Sequence, residues 1–129
     1  MMRGRVLVVD DDPVIVELLR VTFELEGYQV VTATDGPSGI AQAGATHPDV
    51  VVLDVMMPGL DGIEVARRLR LDAATRSIPV ILLSAKAQAS DIRAGLSVAD
   101  DYVTKPFEPL DLLERVAAQI VRSVHGRAG

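Results

Sequence analysis

The sequence predicts an α/β protein, a three-layer sandwich in which five parallel strands are covered by helices on both faces. Three observations carry this. Strand-type and helix-type runs alternate five times along 129 residues, the pattern of a parallel sheet with crossover helices. The runs Val6-Leu7-Val8-Val9, Val50-Val51-Val52-Leu53 and Val80-Ile81-Leu82-Leu83 are unbroken in apolar character, as strands buried on both faces must be. Each then stops at a polar residue: Asp10-Asp11-Asp12 after the first, Asp54 after the second, Ser84 after the third. A shorter stretch, Tyr102-Val103-Thr104, ends in Lys105-Pro106.

The helices follow in order. The first starts after Asp12, a good cap, with Pro13 suited to the first helical position. Val14, Leu18, Val21 and Leu25 recur at spacings of four, three and four, which gives one apolar stripe, and Gly27 is placed to end the helix. A second strand covers 29–33. A second helix begins near Pro37, with Asp35 or Gly36 before it, and His47-Pro48 breaks the chain before the Asp54 strand. The third helix is expected over 62–70, and Ile78-Pro79 leads into the Ser84 strand. The fourth helix, near 90–97, has the weakest pattern. The fifth starts around Pro109, with Leu113, Val116, Ala117, Ile120, Val121 and Val124 on one face. One domain over 1–124 is expected, with 125–129 a flexible tail or the start of a linker.

Bulk composition narrows the function classes. The chain is 49% hydrophobic but only 3% aromatic, so its core must be aliphatic. There is no cysteine, hence no disulfide framework and no zinc–thiolate site. The N-terminal residues lack a signal-peptide pattern, and no apolar run approaches the ~20 residues of a membrane span. A cytoplasmic protein is the expectation. A net charge of −5 argues against this domain gripping nucleic acid, which needs a concentrated basic face.

Open α/β sheets place their sites at the carboxyl ends of strands. If the strands are parallel, Asp10, Asp11, Asp54, Ser84 and Lys105 share one edge. Three carboxylates at close range cannot all stay charged without help. A magnesium ion, or manganese in its place, together with the Lys105 ammonium would offset them, and hard cations prefer such oxygen ligands. Helix capping accounts for Asp12 alone. A carboxylate can also accept a phosphoryl group as an acyl phosphate, which Asp54 would do while Ser84 and Lys105 bind phosphoryl oxygens.

The chain resembles the receiver domains of bacterial two-component response regulators. The matching segments are Val8-Val9-Asp10-Asp11-Asp12-Pro13, Leu53-Asp54-Val55-Met56-Met57-Pro58-Gly59-Leu60-Asp61-Gly62, Leu83-Ser84-Ala85 and Asp100-Asp101-Tyr102-Val103-Thr104-Lys105-Pro106-Phe107. The resemblance implies a flavodoxin-like, doubly wound sheet of strand order 2-1-3-4-5. It implies that Asp54 is the phosphoacceptor, that Asp10 and Asp11 hold magnesium with the Met56 carbonyl as a further ligand, and that Ser84 and Tyr102 form a conformational switch. Lys105 would be the family's lysine, with a cis bond to Pro106. A sensor histidine kinase or a histidine phosphotransfer protein would donate the phosphoryl group, docking at Val14, Ile15, Pro106 and Phe107. An output protein or a C-terminal effector domain would receive the signal, and a phosphorylation-dependent homodimer is a further expectation. Such a domain promotes its own phosphorylation and slow dephosphorylation rather than acting as a conventional enzyme. Met56 and Lys86 are expected to restrict the hydrolytic water.

The pattern departs in one place. Val98 stands where the family has a glycine, and the run from Ser84 to Lys105 is about one residue short. A shortened or irregular fourth helix, or an altered entry to the fifth strand, is expected. This bears on the face formed by the fourth helix, fifth strand and fifth helix, across which Asp100 or Asp101 would pair with Arg115 in a homodimer. Other readings fare worse. A dehalogenase-type phosphatase needs an acid where Met56 stands. A dinucleotide fold needs Gly-x-Gly-x-x-Gly after the first strand, where this chain has Asp10-Asp11-Asp12-Pro13. The rival that remains is a pseudo-receiver acting only as a protein-interaction module.

Overall fold

The computed structural model describes residues 3–128, with side chains described through Ser123. Among them five strands and five helices alternate: β1 (Arg5–Val9), α1 (Pro13–Leu25), β2 (Gln29–Ala33), α2 (Gly36–Thr46), β3 (Val50–Asp54), α3 (Gly62–Leu71), β4 (Val80–Ser84), α4 (Ala89–Leu96), β5 (Asp101–Thr104) and α5 (Pro109–Ala128). The sheet is parallel, in the order β2-β1-β3-β4-β5. The strand order reverses between β1 and β3, where a site is expected.

The apolar runs behave as read. β3 and β4 are buried at every position, and their side chains feed two cores, one on each face of the sheet. Leu7, Val51, Leu53 and Leu82 pack with α3 residues Val65, Ala66 and Leu69 on one side. Val6, Val8, Val52 and Ile81 pack with Leu19, Phe23, Leu112 and Val116 on the other. The caps also hold: the Val14 amide donates to the Asp12 carboxylate at 2.9 Å, and the Ser38 amide donates to Asp35 at 2.7 Å.

Two helix faces differ from expectation. The α1 stripe does not face the sheet: Val14, Leu18, Val21 and Leu25 are 73%, 45%, 41% and 82% exposed. Leu19 and Phe23, with Ile15, supply the buried face instead. The helix carries two interleaved apolar lines, and the second turns toward solvent. On α5, Leu112 and Gln119 are buried while Val121 is exposed, so the buried face lies about one position before the expected one. The side chain of Val124 and the tail expected over 125–129 lie outside the described side chains, and Gly129 lies outside the described residues.

α4 ends at Leu96, one residue before the expected end, and a turn over 97–100 leads into β5. α4 has 8 residues and no side-chain cap. The Arg70 guanidinium fills in. It donates to the carbonyls of Val98 (3.2 Å), Arg76 (2.9 Å) and Ile78 (2.9 Å) and pairs with Asp100. The same Asp100 oxygen accepts the Val80 amide at 2.8 Å. Arg115 pairs within the chain with Asp101 at 2.8 Å, so of the two expected partners Asp100 belongs to Arg70.

Candidate functional site

The parallel register brings the strand ends to one edge. Val9 lies opposite Leu53, Asp54 opposite Leu83, and Ser84 opposite Thr104. The next residue of β1 is Asp10, and the residue after β5 is Lys105. Carboxylate oxygens of Asp10, Asp11 and Asp54 lie within 4.8 Å of one another. Asp10 and Asp54 are buried, 1% and 4% exposed, while Asp11 faces solvent. Lys105 Nζ reaches Asp54 Oδ1 at 3.2 Å and Asp10 Oδ2 at 3.5 Å. The Lys105–Pro106 bond is cis.

The two buried acids, Asp10 and Asp54, each face an amide of their own turn. The Asp12 amide donates to Asp10 Oδ1 at 2.9 Å. The Met56 amide points at Asp54 Oδ1 from 3.4 Å. Beyond Asp54 the chain turns sharply, and the Gly62 amide donates to the Val55 carbonyl at 2.9 Å. Ser84 is fully buried, and its Oγ accepts the Lys86 amide at 3.0 Å. The Tyr102 hydroxyl donates to the Lys86 carbonyl at 2.8 Å, so Ser84 and Tyr102 hold the two backbone groups of one residue, Lys86, in the β4–α4 loop.

The electrostatics are unbalanced. Burial pushes the Asp10 carboxyl above its ordinary range, Asp54 pushes it further, and the Asp12 amide and Lys105 only partly oppose this. Burial also works against the Lys105 ammonium, but Asp10 and Asp54 outweigh it and raise its pKa. Three carboxylates facing one ammonium leave a negative pocket lined with hard oxygen donors, which fits a divalent cation of the magnesium type. The folded chain holds the Asp10 proton more tightly than the unfolded chain does. Metal-free stability is therefore expected to fall as pH rises from about 3.9 through the raised Asp10 value. Asp10→Asn should remove that slope and be the more stable protein at neutral pH. Thermal melts in chelator across this window check it; a steeper fall in the variant would contradict it.

Asp10, Asp11, Asp54, Ser84 and Lys105 lie along this edge, and Ile15, Pro106 and Phe107, three of the four residues expected to contact a donor, lie beside it. A cleft of about 470 Å³ is lined by Ile15, Leu18, Ala85, Lys105, Pro106 and Phe107. On the other side, Met56, Lys86, Asp61 and Asp91 line a cleft of about 400 Å³. Sequence reasoning missed Gly62. A Cβ there would stand 2.2 Å from the Asp54 carbonyl oxygen and 2.8 Å from Val55 Cα, so only glycine lets α3 start against the end of β3. The Asp61-Gly62 pair was the available signal.

Comparison with known proteins agrees with this geometry. The family described as the response regulator receiver domain matches residues 6–117. The DNA-binding response regulator MtrA of Mycolicibacterium smegmatis is 43% identical over 123 residues, covering 95% of this chain and 53% of that protein. The alkaline phosphatase synthesis transcriptional regulatory protein PhoP of Bacillus subtilis is 46% identical over 123 residues, covering 95% of this chain and 50% of that protein. The chain thus spans about half the length of the curated relatives it matches. Among solved structures, the Francisella response regulator 1452 receiver domain superposes with a TM-score of 0.88 at 38% identity, covering 94% of this chain and 99% of that one. The chemotaxis protein CheY4 of Vibrio cholerae gives 0.82 at 32% identity, covering 90% and 99%.

Proposed function

The chain belongs to the family of response regulator receiver domains of two-component systems, and from that premise we propose that Asp54 is its phosphoacceptor. The observation that carries this is the meeting of Asp10, Asp11, Asp54 and Lys105 at one strand edge. A carboxylate oxygen of Asp54 attacks phosphorus, an O–P bond forms, and the N–P bond to the donor imidazole breaks, its electron pair leaving with that ring. Lys105 neutralises charge on the incoming group and orients the Asp54 carboxylate. Asp10, Asp11, Asp54 and the Met56 carbonyl would hold magnesium, or manganese in its place. When bound, the ion offsets repulsion between the acids and the phosphoryl oxygens. Ser84 then turns its hydroxyl to the new phosphoryl oxygens, giving up the Lys86 amide, and Tyr102 follows through the Lys86 carbonyl.

The partners follow from the surfaces. The cleft beside α1 and the exposed Val14 and Leu18 suit a helical histidine kinase or phosphotransfer protein, with Val14, Ile15, Pro106 and Phe107 as contacts. An output domain or partner would be controlled through the face of α4, β5 and α5, which would also form a phosphorylation-dependent homodimer. No helix of the described residues is long and apolar enough to cross a membrane, and a cytoplasmic location is proposed.

Intact mass after incubation with acetyl phosphate tests the function. One phosphoryl group should be gained in magnesium and none in chelator. No gain under either condition would favour a pseudo-receiver that acts by contact alone. A second outcome concerns lifetime. Met56, 54% exposed, and Lys86 line the cleft beside the site, so replacing both by alanine should speed loss of the phosphoryl group several-fold. An unchanged decay would remove them from that role.

A further inference from the structure

Tyr102 is only 8% exposed, and the space for its ring exists because residue 95 has no side chain. A Cβ on Gly95 would lie 2.6 Å from Tyr102 Cδ2, 2.7 Å from Cε2 and 3.0 Å from Leu82 Cδ1. Real Cβ atoms essentially never come as close as the two ring contacts, so either α4 or the ring must yield.

The backbone at this end of α4 is tied down. The Gly95 carbonyl accepts the amides of Val98 and Ala99 at 3.1 and 3.0 Å. The Asp100 amide donates to the Val80 carbonyl at 2.9 Å. Arg70 holds the Val98 carbonyl and the Asp100 carboxylate. These bonds tie the end of the helix to β4 and α3, whereas a side chain can exchange between staggered χ1 wells without moving the backbone. Leaving its seat would break the bond from the Tyr102 hydroxyl to the Lys86 carbonyl, and the Lys86 peptide would keep only its bond to Ser84.

We propose that Gly95 is the positioning residue of the switch: by lacking a side chain it seats the Tyr102 ring inward and so holds the β4–α4 loop at the phosphoryl site. The effect on the loop's function rests on the phosphoacceptor reading of Asp54; the seating of the ring does not.

The chain has two tyrosines and no tryptophan, so Tyr28→Phe leaves Tyr102 as the one tyrosine emitter. In that background, acrylamide quenching of tyrosine emission should steepen several-fold on Gly95→Ala. An unchanged slope in a folded protein would show that α4 yields instead, and would overturn the proposal. Phosphoryl uptake from acetyl phosphate should slow about two- to ten-fold in Gly95→Ala, the factor for one net hydrogen bond. The same substitution should change nothing in a Tyr102→Ala background. An effect that persists there would assign Gly95 to helix packing and defeat the proposal. If Gly95→Ala alone does not fold, the double variant Gly95→Ala/Tyr102→Ala must; its failure counts against the seat equally. A parent that takes up no phosphoryl group would refute the Asp54 reading while leaving the quenching result standing.

Discussion

Asp54→Asn is expected to take up no phosphoryl group from acetyl phosphate in magnesium while keeping its fold. The amide has nearly the shape of the carboxylate, and its oxygen can still accept the bond that Lys105 Nζ gives Asp54 Oδ1 at 3.2 Å. Val55 and Leu53 on either side stay buried. What is lost is the anionic oxygen that attacks phosphorus, since a neutral amide is a poor nucleophile and forms no stable acyl phosphate. The neighbouring hydroxyl does not substitute, because Ser84 is fully buried and already accepts the Lys86 amide. Intact mass and circular dichroism on the same sample separate lost chemistry from lost structure. A folded variant that still gains one phosphoryl group would place the acceptor elsewhere.

The largest effect on stability is expected at Gly62. The Cβ of Gly62→Ala would fall 2.2 Å from the Asp54 carbonyl oxygen and 2.8 Å from its carbonyl carbon. These are backbone atoms of the strand that carries Asp54 and cannot rotate away. Overpacking of this kind costs up to about 3 kcal/mol or more, a fall of roughly 10 °C in Tm for a domain of this size. Relief requires α3 to lift from the end of β3, which also displaces Asp54 from Lys105, so phosphoryl uptake should fall with stability. Gly44 gives the control. It sits within α2, and a Cβ there meets nothing within 4 Å. Gly44→Ala should therefore gain about 0.5–1 kcal/mol from helix preference alone. Similar melting shifts for the two variants would contradict the close approach at Gly62.

Much of this was legible in the residues because the signals are local. A strand buried on both faces must be apolar throughout, so Val50-Val51-Val52-Leu53 reads as a central strand without knowledge of its neighbours. Asp12-Pro13 announces a helix start from two adjacent residues. The site was legible because parallel strands send their ends to one edge, making Asp10, Asp54 and Lys105 neighbours despite their distance in sequence. What failed was a matter of choice between equals. α1 carries both Val14-Leu18-Val21-Leu25 and Ile15-Leu19-Phe23 at helical spacing, and periodicity does not say which line meets the sheet. Of the exposed line, Leu18 lines the cleft beside the site. Arg70 and its acceptors were out of reach for another reason. Its bonds to Val98 and Asp100 join segments that only the fold brings together, and an arginine near the end of a helix, with Arg67 and Arg68 before it, otherwise reads as a solvated charge. Gly95 reads as a glycine within the fourth helix, without a role of its own, until the Tyr102 ring is seen against it.

Borohydride trapping tests the central assignment most directly. The reagent reduces an acyl phosphate to the alcohol and so converts a phosphorylated aspartate to homoserine, which peptide mapping by mass spectrometry places on the chain. After acetyl phosphate and magnesium, homoserine should stand at position 54 and at no other aspartate, and chelator should abolish it. Homoserine at Asp10 or Asp11, or a phosphorylated chain that yields none, would contradict Asp54 as the acceptor.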